Sequence, residues 1–230
     1  MKKLDNIKGF IESSFIDWPG RSCAVLFLGG CNFRCPFCHN HPLVQHPGEL
    51  VSYPLEEILA RLRPLRKWLG GVAVSGGEPT LDPNLPELLK ILRGEGFPTK
   101  IDTNGSRPRV LARLLADGLL EMVAMDVKNV LVTDKYERCA GVGVDLDEIR
   151  KSIELIRKSG IAHEFRMTVL PHYHSRDDII AWAACLGNDS PRKLQNYDPR
   201  SPMYPNLAGA KGFSPDDFAE LEQLAYTHRT

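Results

Sequence analysis

Short β-rich runs alternate with longer helical patterns along this chain, and that alternation most limits the folds available to it. The runs that indicate strands are Ser22–Leu28, Gly71–Ser75, Thr99–Thr103, Met122–Val127, His163–Leu170 and Lys193–Tyr197. The patterns that indicate helices are Pro54–Leu69, Leu85–Arg93, Pro108–Ala116, Asp147–Ser159, Asp177–Leu186 and Pro215–Tyr226. Alternating strands and helices are typical of parallel βα units. We therefore expect an α/β protein built from six such units.

Six units are fewer than the eight of a closed TIM barrel. We predict a partial (βα)6 TIM-like barrel of parallel strands, open on one side. A doubly wound open sheet is the alternative, because periodicity alone does not exclude it. The 230 residues fit a single domain. In that domain, residues 1–21 would form an N-terminal extension and residues 198–230 a C-terminal loop and helix.

Charge and hydropathy exclude several classes of protein. Lys and Arg together number 29, as do Asp and Glu, so the formal net charge is zero. Without a basic excess, we expect no nucleic-acid partner. The first residues lack the apolar stretch of a signal peptide, and the longest apolar run, Ala24–Leu28, is too short to span a bilayer. We therefore expect a cytoplasmic protein with no membrane association, in a compartment that keeps thiols reduced.

Three cysteines, Cys31, Cys35 and Cys38, have the spacing C-x3-C-x2-C with no fourth cysteine nearby. A cubane iron–sulfur cluster normally takes a thiolate on each of its four irons. Three ligands would leave one iron open, and an open metal position usually marks a catalytic site. Zinc is an open alternative, because His39 or His41 could complete a tetrahedral site. A disulfide is a weaker alternative, since three close cysteines cannot all pair.

The remaining cysteines are scattered and are expected to be structural. Cys23 opens an apolar strand, and Cys185 belongs to an apolar helical pattern, where a buried free thiol is ordinary. Cys139 is expected in a glycine-containing loop. Among the histidines, His172 and His174 flank Tyr173, and we interpret both as exposed loop residues.

Polar segments follow the predicted strands at their carboxyl ends, where α/β barrels build their active sites. These segments are Ser75-Gly76-Gly77-Glu78-Pro79, Asp102-Thr103-Asn104-Gly105, Met125-Asp126-Val127-Lys128 and Gln195-Asn196-Tyr197, with Arg166 inside the fifth strand. Taken singly, each is explained by a turn or a surface position. Together with the cysteines on the same rim, they favour a functional site. Adjacent glycines allow close backbone approach, Glu78 can accept hydrogen bonds from an ammonium or a ribose hydroxyl, and Arg166 can pair with a carboxylate.

The cysteine motif followed by Gly-Gly-Glu-Pro resembles the radical S-adenosylmethionine (SAM) enzymes, which implies a partial barrel of the radical SAM type. Within that superfamily, the chain is similar to activating enzymes of glycyl radical enzymes. The similarity lies in Asp17-Trp18-Pro19-Gly20, Cys38-His39-Asn40, Asp102–Gly105 and Asp126-Val127-Lys128. The stretch from Ser14 to Gly20 looks most like the branch of anaerobic ribonucleoside-triphosphate reductase activating proteins.

The resemblance implies specific site residues. Cys31, Cys35 and Cys38 would hold a [4Fe-4S] cluster. Phe37 and His39 would approach the adenine of SAM, and Lys128 and Arg166 its carboxylate or ribose. Gly76, Gly77 and Glu78 would meet its methionine amino group. The full set of implied SAM contacts is Phe37, His39, Ser75, Gly76, Gly77, Glu78, Asn104, Lys128 and Arg166. A monovalent cation at Asp102, Thr103 and Asp126 is implied by some relatives.

The implied function is a radical SAM activase. It would cleave SAM reductively to a 5′-deoxyadenosyl radical and install a glycyl radical on a partner enzyme, with an anaerobic ribonucleoside-triphosphate reductase as the expected partner. Flavodoxin or ferredoxin would donate the electron, because the sequence has no second cluster motif. Two alternatives stay open: a radical SAM enzyme acting on a small molecule or a tRNA base, and a non-catalytic zinc-binding interaction module.

Overall fold

The computed structural model describes residues 4–227 and contains a seven-stranded sheet whose spatial order follows the chain. The strands are β1 Ile7–Ser14, β2 Cys23–Leu28, β3 Val72–Gly76, β4 Thr99–Thr103, β5 Met122–Asp126, β6 Ala162–Val169 and β7 Arg192–Asn196. Strands β2 to β7 are parallel, and β1 is antiparallel to β2. A doubly wound sheet would reverse its strand order partway, so the observed order confirms the partial barrel.

The helices lie between the strands, as expected for βα units. They are α1 His41–Gln45, α2 Leu55–Leu62, α3 Leu85–Gly94, α4 Pro108–Ala116, α5 Thr133–Ala140, α6 Leu146–Lys158, α7 Arg176–Cys185 and α8 Pro215–Thr227. The helix predicted to reach Leu69 ends at Leu62, because Pro64 lacks the N–H that an α-helix needs, and the chain continues as a short 3₁₀ turn. No helix in residues 4–227 is long and apolar enough to cross a membrane.

Three further expectations, about the N-terminal segment and two cysteines, were wrong. The predicted N-terminal extension contains the edge strand β1. Its polar residues Lys8 and Glu12 interrupt the apolar pattern by which a strand is recognised. Met1 to Lys3 lie outside the described residues. Cys139 is buried in α5 rather than in a loop. Cys185 is exposed, because it lies at the last turn of α7 on the side away from the core.

The two faces of the parallel strands differ in chemistry. Outward-facing residues such as Leu26, Val74 and Val123 are fully buried beneath the helices. Toward the carboxyl end of the strands, inward-facing positions instead carry charges: Asp126 and Arg166 are paired in register across β5 and β6. TIM barrels usually fill their interior with branched aliphatic side chains. A polar interior, open at the carboxyl end, leaves room for a charged ligand.

A turn between β1 and β2 closes the amino-terminal end of the barrel. Trp18 is 3% exposed and packs with Cys23, Val25 and Met122 in a small apolar cluster. A Cβ at Gly71 would lie 2.6 Å from Trp18 Cζ3, so the indole fits only against a glycine. The Asp17–Gly20 turn is therefore the floor of the barrel, at the opposite end from the cysteine loop.

Candidate active site

A cavity of about 230 Å³ opens at the carboxyl ends of the strands. The three cysteines line it, together with Lys128 and Arg166. Every residue that the sequence analysis assigned to the cluster, to SAM or to a cation borders this cavity, with the single exception of Glu78. The fold therefore brings together residues that are separated by up to 135 positions in the chain (166 − 31).

The cysteine loop is fastened from several directions. The backbone N–H of Arg34 donates to Ala140 O at 2.8 Å, which ties the loop to the end of α5. The Arg34 guanidinium donates to Cys31 O at 2.7 Å, and the N–H of Cys38 donates to Cys35 O at 3.0 Å. These bonds satisfy backbone groups in a loop without regular secondary structure. These hydrogen bonds hold the backbone of the loop that carries the three cysteines.

Burial controls the protonation of these thiols. Desolvation raises the pKa of Cys31 and of Cys35 to about 11, and it raises the pKa of Cys38 as well. The thiols are therefore protonated at neutral pH when no metal is bound. A metal ligand must be a thiolate, so binding a metal centre here releases protons.

The two histidines that could complete a zinc site point to other partners. His39 Nε2 lies 2.7 Å from Asp198 O, and His41 contacts Gln45 Oε1 at 3.2 Å and Ser201 Oγ at 3.3 Å. Within residues 4–227, no three His, Cys, Asp or Glu side chains are grouped so that they could hold one metal ion. The engagement of both imidazoles elsewhere argues against the zinc alternative.

Gly76 and Gly77 allow two loops to pass at van der Waals contact. A Cβ at Gly77 would lie 1.9 Å from Gly30 O, and a Cβ at Gly76 would lie 2.3 Å from Leu28 O. The N–H of Gly77 donates to Leu28 O at 2.9 Å, and Asn40 Nδ2 donates to Gly76 O at 3.1 Å. The glycines therefore bring the loop after β3 against the start of the cysteine loop, so that both border the cavity.

Glu78 does not face the cavity, which corrects the expectation that its carboxylate is free to meet a ligand. It is 1% exposed. Its Oε1 accepts hydrogen bonds from the N–H and hydroxyl of Thr80 and from Thr103 Oγ1, and its Oε2 accepts from the N–H of Asn104 at 2.6 Å. Burial raises the pKa of Glu78, although these hydrogen bonds oppose that shift. The carboxylate thus joins the loops after β3 and β4, and its side chain has a positioning role.

A chain of opposite charges crosses the barrel interior below the cysteines. Lys100 pairs with Asp102, whose Oδ1 also lies 3.4 Å from Arg166. The Arg166 Nε donates to Asp126 Oδ1 at 3.0 Å, and Lys128 Nζ lies 3.1 Å from Asp126 Oδ2. Burial alone would raise the pKa of Asp126, but Lys128 and Arg166 outweigh it and lower that pKa to about 2. The Asp126 carboxylate is therefore ionised, and both Asp102 and Asp126 are already paired with protein cations.

This charge chain bears on the predicted cation site. Asp102 and Asp126 each pair with two protein cations, and the Thr103 hydroxyl donates to Glu78 at 2.8 Å. The structure therefore does not arrange these three side chains around a common cation position. A metal ion there would compete with Lys100, Lys128 and Arg166 for the same oxygens.

Two aromatic side chains that border the cavity, Phe37 and His39, pack against tyrosine rings outside it. Phe37 packs edge-on against Tyr173, with ring centroids 5.6 Å apart, and His39 lies 6.2 Å from the ring of Tyr197. His174, expected to be exposed, is buried, and its Nε2 lies 2.9 Å from Lys128 O. It fastens the backbone beside the cavity because the loop after β6 folds back over α5. His172 is exposed, as expected.

The segment after β7, from Asp198 to Pro205, lies across the cysteine loop. Tyr204 N donates to Pro36 O at 2.9 Å, and Asp198 O contacts His39. The sequence pattern identified only a loop here, because nothing in its composition reports which element it covers. Sequence reasoning also missed Lys100 and Thr168; the signal for Thr168 was its position two residues after Arg166, on the same face of β6.

Comparison with known proteins gives a consistent picture. Residues 25–183 match the radical SAM superfamily. A Methanocaldococcus jannaschii protein assigned as a glycyl-radical enzyme activating enzyme is 34% identical over 206 residues, which are 87% of this chain and 82% of that protein. The pyruvate formate-lyase-activating enzyme of Clostridium pasteurianum is 34% identical over 77% of this chain and 75% of its own length. Streptococcus suis SuiB bound to the precursor peptide SuiA shares the fold, with a TM-score of 0.66 and 17% identity over 86% of this chain and 44% of SuiB.

Proposed function

We propose a partner-activating function for this chain, which belongs to the radical SAM superfamily and to its glycyl-radical enzyme activating branch. It is an enzyme that uses a [4Fe-4S] cluster and SAM. Its proposed reaction is the installation of a glycyl radical on a partner enzyme. From the Ser14–Gly20 resemblance, the proposed partner is an anaerobic ribonucleoside-triphosphate reductase. The observation that carries the proposal is a loop of three cysteines bordering the same cavity as a cluster of protein cations.

The residues present fit the cluster. Cys31, Cys35 and Cys38 supply three sulfurs on one fastened loop, and neither His39 nor His41 is oriented to supply a fourth ligand. These three thiolates would hold the cluster, and the cavity beside them would receive SAM. When bound, the cluster supplies the electron that cleaves SAM to methionine and a 5′-deoxyadenosyl radical.

The protein's own part is to bind and orient SAM. Lys128 and Arg166 border the cavity with ammonium and guanidinium groups, which suit the SAM carboxylate or ribose. Ser75, Gly76 and Gly77 would face the methionine end. Phe37 and His39 would flank the adenine, and Asn104 would contact the ligand beside Cys31, where its Nδ2 lies 3.9 Å from the Cys31 sulfur. A cation at Asp102, Thr103 and Asp126 gains no support from the ion pairs already present.

The open side of the barrel suits a protein substrate. Strands β1 and β7 stand at opposite edges of the sheet, and Thr168 and Gln195 line the cavity near the β7 edge. A hydroxyl and an amide can hydrogen-bond the peptide groups of an extended glycine loop. The same opening would also admit a small molecule. The experiment below distinguishes a protein substrate from a small one.

The decisive experiment combines the reconstituted chain with an anaerobic ribonucleoside-triphosphate reductase, SAM and a reductant. We expect electron paramagnetic resonance (EPR) to detect a glycyl radical on the reductase, and we expect 5′-deoxyadenosine in about equal amount, because one hydrogen atom is abstracted per SAM cleaved. A reductase variant with the target glycine replaced by alanine is the control. SAM cleavage without any protein radical, but with turnover of an added small molecule or tRNA, would support the alternative.

An acidic electron-carrier protein is the proposed donor, and three arginines suggest where it docks. Arg34, Arg107 and Arg138 are exposed. Arg34 belongs to the cysteine loop, Arg107 follows Ser106, which accepts a hydrogen bond from Asn32 at 2.9 Å, and Arg138 is on α5, whose end is bonded to the loop. Arg34 donates to backbone carbonyls, and Arg138 lies over the Tyr173 ring at 4.8 Å. Among the ion pairs of residues 4–227, none involves these three guanidiniums. Flavodoxins and ferredoxins would be attracted to such a surface if they are acidic.

Reversing this charge should slow reduction by the carrier protein. We expect the Arg107→Glu, Arg138→Glu double variant to accept electrons from reduced flavodoxin about tenfold or more slowly at low ionic strength, with the difference shrinking as salt rises. Stopped-flow absorbance of the cluster measures this rate. Reduction by dithionite, which needs no docking surface, should be unchanged. The control, Arg113→Glu with Arg157→Glu, reverses the same number of charges on α4 and α6, where each arginine also loses an ion pair, with Asp117 and Asp189 respectively. An equal loss in this control would contradict the assignment.

A further inference from the structure

Lys100 carries a buried charge that the expected SAM contacts do not explain. Its side chain is 1% exposed, inside the barrel, between the apolar floor and the cavity. Its Nζ donates to Asp17 O at 2.7 Å and to Asp102 Oδ1. Burying an ammonium is costly unless it is paired and hydrogen-bonded. A hydrophobic residue of similar length would fill the same space, so the charge calls for a functional reason.

Lys100 is placed to hold the Asp102 carboxylate in position. Both side chains lie on the inner face of β4, two residues apart, with Asp102 nearer the mouth and bordering the cavity. The other cation near Asp102 is Arg166, at 3.4 Å, and the Nε of that arginine is committed to Asp126. Without Lys100, the Asp102 carboxylate loses its shortest partner. It would then be free to rotate or to draw Arg166 away from Asp126.

Lys100 also connects the cavity to the floor of the barrel. The Asp17 carbonyl that accepts its hydrogen bond belongs to the Asp17–Gly20 turn, which Trp18 anchors among buried apolar side chains. The turn itself does not border the cavity. The turn is therefore connected to the cavity through the Lys100 ammonium, which hydrogen-bonds the Asp17 carbonyl on the floor side and the Asp102 carboxylate on the cavity side.

We propose that Lys100 is a positioning residue for SAM binding: it fixes the Asp102 carboxylate at the cavity and couples it to the Asp17–Gly20 turn. This inference deepens the proposed function and rests on its assignment of this cavity to SAM. It does not depend on which partner the enzyme activates. Lys100 would act through Asp102, and it makes no contact with the cavity itself.

The test measures SAM affinity and the EPR signal of the reduced cluster in the reconstituted holoenzyme. We expect Lys100→Met to weaken SAM binding about ten- to a hundredfold, by analogy with the loss seen when the hydrogen-bonding partner of a metal ligand is removed. Because Lys100 acts through Asp102, the Lys100→Met, Asp102→Asn double variant should bind SAM no more weakly than Asp102→Asn alone. The change that SAM produces in the EPR signal should be reduced in parallel in all three variants. Lys90→Met, an exposed lysine on α3, is the matched control and should bind SAM normally.

Two results would overturn the inference: wild-type SAM affinity in Lys100→Met, or a loss in the double variant equal to the sum of the two single losses. If Lys100→Met folds poorly because Asp102 loses its partner, the double variant removes that unpaired carboxylate and still gives the comparison with Asp102→Asn. Failure of the proposed function would look different. SAM binding would depend on Lys100 as described, but no partner enzyme would acquire a glycyl radical.

Discussion

Replacing Cys31, Cys35 or Cys38 with alanine is expected to abolish SAM cleavage, whereas Cys185→Ala should retain it. Each of the three cysteines borders the cavity. In each variant, only two protein thiolates remain to hold the cluster, and one of its irons loses its protein ligand. Cys185 lies at the end of α7 and is exposed, away from the cavity. Iron content and 5′-deoxyadenosine formation under strict anaerobiosis provide the measurement, with about four irons expected per wild-type chain.

A control cysteine variant distinguishes the loss of a cluster ligand from a general loss of stability. Cys139→Ala is a stricter test than Cys185→Ala, because Cys139 is buried in α5 beside the cysteine loop. It should lower stability modestly and leave the iron content intact. Equal loss of SAM cleavage in Cys185→Ala would mean that the ligands are misassigned. Wild-type protein that binds one zinc and shows no charge-transfer absorption would remove the iron–sulfur assignment altogether.

Glu78→Ala is expected to lower the free energy of unfolding by about 3 kcal/mol, because it leaves buried donors without an acceptor. Those donors are the N–H and hydroxyl of Thr80, the hydroxyl of Thr103 and the N–H of Asn104. The loops after β3 and β4 both border the cavity, so SAM affinity should fall with stability. Urea unfolding followed by circular dichroism measures the first effect, and equilibrium binding measures the second.

A graded series tests the cause. In Glu78→Gln, the amide oxygen can still accept from Thr80 and Thr103, but the amide nitrogen then faces the N–H of Asn104, donor against donor. We expect an intermediate loss for this variant. Glu87→Ala, an exposed glutamate on α3, should change stability by less than about 0.5 kcal/mol. A Glu78→Ala protein as stable as the Glu87→Ala control would show that the buried carboxylate does not hold the two loops together.

Local sequence patterns were sufficient to predict a residue's role wherever that role depends on its neighbours in the chain. The six parallel strands follow from apolar runs, and the cluster ligands follow from cysteine spacing. Gly160 follows α6 with a φ of +75°, the left-handed conformation that a glycine commonly adopts just after a helix. The edge strand β1 was missed because six of its eight residues are at least partly exposed, which leaves no clear alternation of apolar and polar residues in the sequence.

By itself, the sequence determined the barrel class, the three thiols and the rim to which they belong, because those features are written in periodicity and short spacing. Only the tertiary structure decided which polar side chains border the cavity and which position the cavity residues without bordering it themselves. Glu78 joins the loops after β3 and β4 outside the cavity, Lys100 pairs with Asp102 from the floor side, and His174 is buried beside the Lys128 carbonyl. These assignments depend on contacts between strands and loops that lie far apart in the chain. Whether a polar group is satisfied within the protein or left free for a ligand depends on its neighbours in space, which no local pattern reports.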